Sequence, residues 1–160
     1  MAEKGRVSGA SGLELVPAET GFLQRLLEDS TLDPFLRDAA QGTLAHQART
    51  GPLSPWTGYF ARRDGQWVGV CAFVDAPKDG EVEIAYGTVP GFEGQGIASA
   101  MANWLIARAF AEAEVTAVVA NTTPAHNTST RILETRDFVR DGTVHDTEID
   151  EAWHWKLTCR

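Results

Sequence analysis

The sequence predicts one α+β domain: a mixed, mostly antiparallel sheet of about six or seven strands, flanked by about four helices. Three observations predict it. Apolar residues alternate with period two through the middle of the chain, around an Asp64-Gly65 pair that signals a hairpin. The period becomes helical directly after a glycine-rich loop at Gly94 and Gly96. Helical stretches stand on both sides of that strand-rich centre, giving the order β-αα-βββ-α-β-α-ββ.

Residues 1–12 are polar and Gly/Ser-rich and read as a flexible N-terminal tail, leaving residues 13–160 for the domain. Leu13-Glu14-Leu15-Val16 alternates as a short strand that Pro17 stops. Over residues 18–29, Phe22, Leu23, Leu26 and Leu27 recur at the spacing of one helical stripe. Asp33-Pro34 opens a second helix, with aspartate as N-cap and proline at the first helical position. Running to about Ala48, it turns Phe35, Leu36, Ala39, Ala40 and Leu44 inward and leaves His46 on its solvated side. Residues 51–58 carry Pro52 and Pro55 and form a loop. Strands over residues 57–63 and 66–74 flank Asp64-Gly65, and a third over residues 81–89 follows the turn Pro77-Lys78-Asp79-Gly80. Ile97, Met101, Trp104, Leu105 and Ala109 then mark a long amphipathic helix. Residues 115–120 form a short buried strand, residues 128–136 a helix with Ile132 and Leu133 inward, and residues 138–144 and 153–157 two closing strands.

Composition excludes several classes. With 43% apolar and 22% charged side chains over 160 residues, the chain is globular rather than disordered or fibrous. No apolar run reaches the roughly 20 residues that span a bilayer, and no signal-peptide pattern opens the sequence. Cys71 and Cys159 are too few for a disulfide framework and too far apart for a clustered zinc motif, so a cytoplasmic location is expected. A net charge of −8 argues against nucleic acid as the main partner and suits a cationic one.

The chemistry concentrates in the stretch from Thr88 to Ser99, Thr-Val-Pro-Gly-Phe-Glu-Gly-Gln-Gly-Ile-Ala-Ser. A strand ends, Pro90 stops its pairing, and Gly94 and Gly96 precede a long helix. Free N–H groups at a helix start suit a pyrophosphate, and glycines let it approach the backbone; a plain strand-to-helix connection accounts for the same pattern. No Gly-Lys-Ser/Thr follows, so this is not a P-loop, and antiparallel strands ahead of it argue against a Rossmann turn.

Residues 82–98 resemble the acetyl-CoA motif of the GNAT N-acetyltransferase superfamily, Gln/Arg-x-x-Gly-x-Gly/Ala, with Gly96 and Ala98 at its last positions. Downstream, Asn127-Thr-Ser-Thr-Arg-Ile-Leu-Glu134 with Phe138 is similar to a signature of the branch that acetylates ribosomal-protein N-termini, and Trp153-His-Trp155 also fits that branch. The resemblance implies a GNAT-like acyl-CoA N-acyltransferase fold and transfer of an acetyl group from acetyl-CoA to a primary amine, by direct attack in a ternary complex. It implies that the co-substrate meets Thr88, Val89, Glu93, Gly94, Gln95, Gly96, Ile97, Ala98 and Ser99, and either His126 or Asn127 where the family carries its asparagine. It places the amide that polarises the thioester carbonyl near Val89. Two departures stand out: Glu93 puts an acid where the family has Gln or Arg, and Asp137 replaces the glycine before Phe138.

Such a transfer needs a neutral amine and a proton for the leaving thiolate. Strand alternation puts Glu81, Glu83, Ala85, Gly87 and Val89 on one face. Glu83 is the nearer acid to the thioester end and is the expected base, with Glu81 as the alternative. The family's general-acid tyrosine corresponds to Leu133, so that acid is absent; Ser129 is left to donate to the thiolate or to cap its helix. Tyr86 and Cys71 read as core residues. His145, Asp146, Glu148, Asp150, Glu151 and His154 read as loop charge rather than a metal site, and no metal is expected. The acceptor walls are implied at residues 23–55 and 146–151, with a primary amine, cationic when free, entering an acidic mouth. The alternative function is a catalytically idle acyl-CoA-binding or sensing module. Expected partners are acetyl-CoA and an amine, with no nucleic acid or membrane, in a monomer or homodimer.

Overall fold

The computed structural model describes residues 5–6, 12–51, 53–146 and 150–159. Strand β1 (Gly5–Arg6) pairs antiparallel with β2 (Glu14–Pro17); the rest of the segment read as a tail, apart from Gly12, lies outside the described residues. Two helices follow, α1 (Thr20–Leu27) and α2 (Pro34–Thr50). Asp33 caps α2 as expected, accepting the Phe35 N–H at 2.8 Å. Then come β3 (Gly58–Arg63), β4 (Gln66–Phe73) and β5 (Glu81–Thr88). Asp64 and Gly65 join β3 to β4 with φ of 51° and 78°, the paired positive values of a type I′ turn. Helix α3 (Ile97–Phe110), β6 (Ala117–Thr122), α4 (Thr128–Thr135), β7 (Val139–Asp146) and β8 (Asp150–Thr158) complete the chain.

The strands form one sheet in the order β1-β2-β3-β4-β5-β6-β8-β7. The two-residue β1 adds to the seven strands the sequence supports. All neighbours pair antiparallel except β5 and β6, which run parallel because α3 crosses between them. β6 starts two residues later than expected: Val115 and Thr116 belong to the turn, where the Thr116 N–H donates to the Gly80 carbonyl at 2.8 Å.

Each sheet face carries its own core. Val82, Ile84, Val118, Ala120 and Trp155 pack against Ile97, Met101 and Leu105 of α3 and Leu133 of α4. On the opposite face Phe60 and Val89 pack against Leu23 of α1 and Leu36 and Ala40 of α2. No described helix is long and apolar enough to cross a membrane.

Candidate active site

The sheet opens at its centre. β5 and β6 are in register only from Glu81↔Ala117 to Glu83↔Val119, and beyond that point they separate. Along β5 the Glu83 carbonyl accepts from Val74 N–H, and Val89 N–H donates to the Val68 carbonyl, each at 2.9 Å. Peptide groups alternate along an antiparallel strand, so those of Tyr86 and Thr88 face away from β4, toward the side that β6 has left. The Val89 amide itself is held by the sheet, so near Val89 the amides that face the gap are those of Thr88 and Tyr86.

At the end of β5 the loop through Gly91, Gly94 and Gly96 runs at φ of 100°, 76° and 78° into α3, with Gly96 as the N-cap. A Cβ added at Gly94 or Gly96 would meet no protein atom within 4 Å, so packing does not demand glycine there. The loop instead leaves an open, amide-lined approach that fits a pyrophosphate. Glu93 is turned onto this loop, its carboxylate accepting the Gly91 N–H at 2.6 Å. Bonds from its own amide and from Gly91 hold it below the usual carboxylate range. Gln95 accepts a hydrogen bond from Arg63 of β3, a cation brought to the loop by the sheet.

On the face shared by Glu83 and Ala85, a cleft of about 720 Å³ runs between α2, the 51–58 segment and the sheet. Phe35 stands at one end, its ring where a Gly87 side chain would be (2.9 Å from an added Cβ). Val74 separates this cleft from a smaller hollow of about 460 Å³ that includes Glu83 and Glu81. The Glu83 and Asp146 carboxylates share the Asn121 side-chain NH2 (3.5 and 3.4 Å), and Asn121 Oδ1 lies 2.8 Å from His154 Nδ1. Burial, and then the Asp146 charge, push the Glu83 carboxyl above its ordinary value. Glu81 is differently engaged, in an ion pair with Lys156 at 2.6 Å.

With this geometry, the acetyltransferase (GNAT) domain model matches residues 23–139, most of the chain. The chain belongs to the GNAT acetyltransferase family. As a GNAT acetyltransferase it moves an acetyl group from acetyl-CoA to an amine. No curated protein sequence matches it. Among solved structures it is similar to RimL, a ribosomal L7/L12 alpha-N-protein acetyltransferase, at 18% identity and TM-score 0.70, over 99% of this chain and 96% of that one. It is similar to Mycobacterium smegmatis RimJ in complex with CoA-disulfide at 19% identity and TM-score 0.66, over 98% and 86% of the two chains. It is also similar to the aminoglycoside acetyltransferase AAC(6')-Ib in complex with coenzyme A at 21% identity and TM-score 0.62, over 91% and 93%. At these identities the likeness is one of fold.

The remaining residues of this GNAT domain divide clearly. Asn127 is the N-cap of α4: its side chain accepts the Thr130 N–H at 3.1 Å, while Thr130 Oγ1 accepts the Asn127 N–H. Capping therefore falls to Asn127 and not to Ser129, whose carbonyl accepts the Tyr86 hydroxyl at 3.1 Å. Tyr86, pushed up to about 12 mainly by burial, thus ties β5 to the start of α4. His126 is exposed, with its ring 5.2 Å from that of Trp153. Ile97 is buried in the core, whereas Ala98 and Ser99 are half-buried in the first turn of α3. Cys71 is buried, as expected, and its thiol is shifted upward by that burial. His46, read as solvated, is half-buried and lines the open cleft, because Phe35, Ala39, Gly42 and His46 fall on one stripe of α2.

Sequence reasoning missed Asn121, treated Asp146 and His154 as loop charge, and gave Arg63 no role. Asn121 lies in a strand whose pairing partners are distant in sequence, so no local pattern could have flagged it. Of the acidic cluster, Glu148 lies outside the described residues, and no described group of His, Cys, Asp and Glu could hold a metal ion.

Proposed function

We propose that this GNAT acetyltransferase acetylates a primary amine by direct attack in a ternary complex, with Glu83 as the base. The observation that carries this reading is the position of Glu83. It is a half-buried carboxyl, raised above its ordinary value, beside the acceptor cleft and where β5 and β6 part. A carboxylate with a raised pKa is a stronger base for an ammonium proton. Asn121 fixes its orientation, and Asp146 beside it adds the second negative charge that draws in a cation.

The residues that fit the donor are the loop amides from Gly94 to Ser99, with Glu93 and Gln95 at the mouth and Arg63 as a nearby cation. When bound, acetyl-CoA supplies the thioester carbon that the amine attacks. The Tyr86 and Thr88 peptide N–H groups, turned toward the gap, are aimed to polarise a carbonyl there. Ser129, on the first turn of α4, is the hydroxyl nearest in role to a donor for the departing sulfur. RimL and RimJ are named with CoA in their structures, which supports the same donor here. The buried, unbridged Cys71 fits a reducing compartment, and the reading carries a cytoplasmic monomer or homodimer.

The test is release of free CoA when the protein meets acetyl-CoA and a panel of amines. Release that depends on the amine supports the reading. Tight acetyl-CoA binding without release by any amine overturns it in favour of an idle binding module.

A further inference from the structure

We infer that the acceptor is an amine with a single positive charge carried on an apolar body, and that Gly42 of α2 sets how large that body can be. The inference rests on the acetyl-transfer reading and names the substrate class for the same site. The cleft beside Glu83 is walled by Phe35, Ala39, Gly42 and Trp56 and floored by Ala72 and Ala85. Small residues on both walls leave the space, and an aromatic ring stands at each side of it. Among its described lining residues the only acid is Asp38, which is exposed and accompanied by His46 and Arg49. A polyamine or aminosugar would bring several charges into this volume and find one carboxylate and an arginine. Further charges placed along this cleft would meet one exposed carboxylate and the repulsion of Arg49.

The single charge has a place outside the cleft. Val74, one of two large apolar side chains exposed among the described residues, lies on both the cleft and the hollow that holds Glu83. Ala85 is two residues from Glu83 on the same face of β5, so an amine at Glu83 directs its body over Ala85 into the cleft. At that end Glu83 and Asp146 converge on one Asn121 amide, and Asp75, Asp79 and the Lys156-paired Glu81 line the same hollow, so the carboxylates that meet an ammonium stand here and not along the cleft.

Gly42 has no structural reason to be glycine. It sits in the interior of the 17-residue α2, where alanine is the better helix former. Its φ is not positive, and an added Cβ would meet nothing within 4 Å. The missing side chain is on the cleft stripe of α2, so its effect is to widen the cleft.

The experiment compares 2-phenylethylamine, ethanolamine and spermidine as acceptors for the wild type, Gly42→Leu and Ala85→Val, with acetyl-CoA affinity measured separately by calorimetry. We expect 2-phenylethylamine to exceed the other two in kcat/KM by about tenfold or more. In Gly42→Leu that preference should fall about tenfold, through KM, with acetyl-CoA affinity and melting temperature retained. Ala85→Val raises the floor of the cleft and should act in the same direction. A preference for spermidine, or variants that leave the size of the preference unchanged, overturns the inference while acetyl transfer stands. Failure to bind acetyl-CoA at all overturns the acetyl-transfer reading and the inference with it.

Discussion

A base that removes a proton from an ammonium must be ionised in the working enzyme yet hold the proton well once it arrives. In the proposed role of Glu83, burial and the Asp146 charge move it toward that compromise, and Asn121 keeps it hydrogen-bonded while ionised. Glu83→Gln keeps the shape and the Asn121 contact but removes the basicity. Turnover is expected to fall by about 10²-fold or more with acetyl-CoA affinity unchanged, as read by steady-state kinetics beside calorimetry. Because the folded pKa is raised, the first rise of activity with pH should lie above the ordinary value for a glutamate, with a second rise as the free amine deprotonates. The sign for stability is opposite. The folded state favours the protonated form, so this group's contribution is full below its unfolded pKa and is lost as pH rises through its folded one. Asn121→Ala should shift the lower limb of the activity profile, whereas a purely structural role would lower amplitude alone.

At the scale of elements, the loop into α3 and the cap of α4 make separable predictions. Gly96 and Gly65 share a φ of 78°, and an added Cβ at either meets nothing within 4 Å. Alanine at each should cost about 1 kcal/mol of stability for the left-handed backbone, measured by urea denaturation. Only Gly96→Ala also puts a methyl where a phosphate approaches, so only it should weaken acetyl-CoA binding, by about tenfold. Equal effects on binding would sink the loop assignment. Asn127→Ala removes half of the α4 capping box and should cost about 1 kcal/mol with little change in acetyl-CoA affinity. These elements were legible for local reasons. Asp64-Gly65 adopts the turn its residues prefer, Asp33 caps the helix that Pro34 starts, and Asp137 takes the left-handed conformation (φ 67°) at the helix end where the family carries glycine. The start of β6 was misplaced because the apolar run begins at Val115, which is buried but hydrogen-bonded in a turn.

At the scale of the molecule, the net charge of −8 would draw in the cationic amine proposed as acceptor. Exposed charges are screened within about 8 Å at physiological salt, so raising salt should raise KM for a cationic amine more than it lowers kcat. A neutral amine of similar size should show no such change, and equal salt responses would leave shape alone to select the acceptor. By itself the sequence determined the elements, their order, the glycine loop between β5 and α3, and the family resemblance, because caps, turns and hydrophobic period act within a few residues. It also put Glu83 and Ala85 on the face of β5 opposite buried Val82 and Ile84, since alternation is a local rule. Only the tertiary structure decided the rest. The order β6-β8-β7 brings His154 and Asp146 to Asn121, and parallel pairing that stops at Glu83 and Val119 creates the gap. α2 lies across the sheet so that Phe35 and His46 face one cleft. Those contacts join residues far apart along the chain, and their positions depend on the packing of both sheet faces at once, which no window of sequence contains.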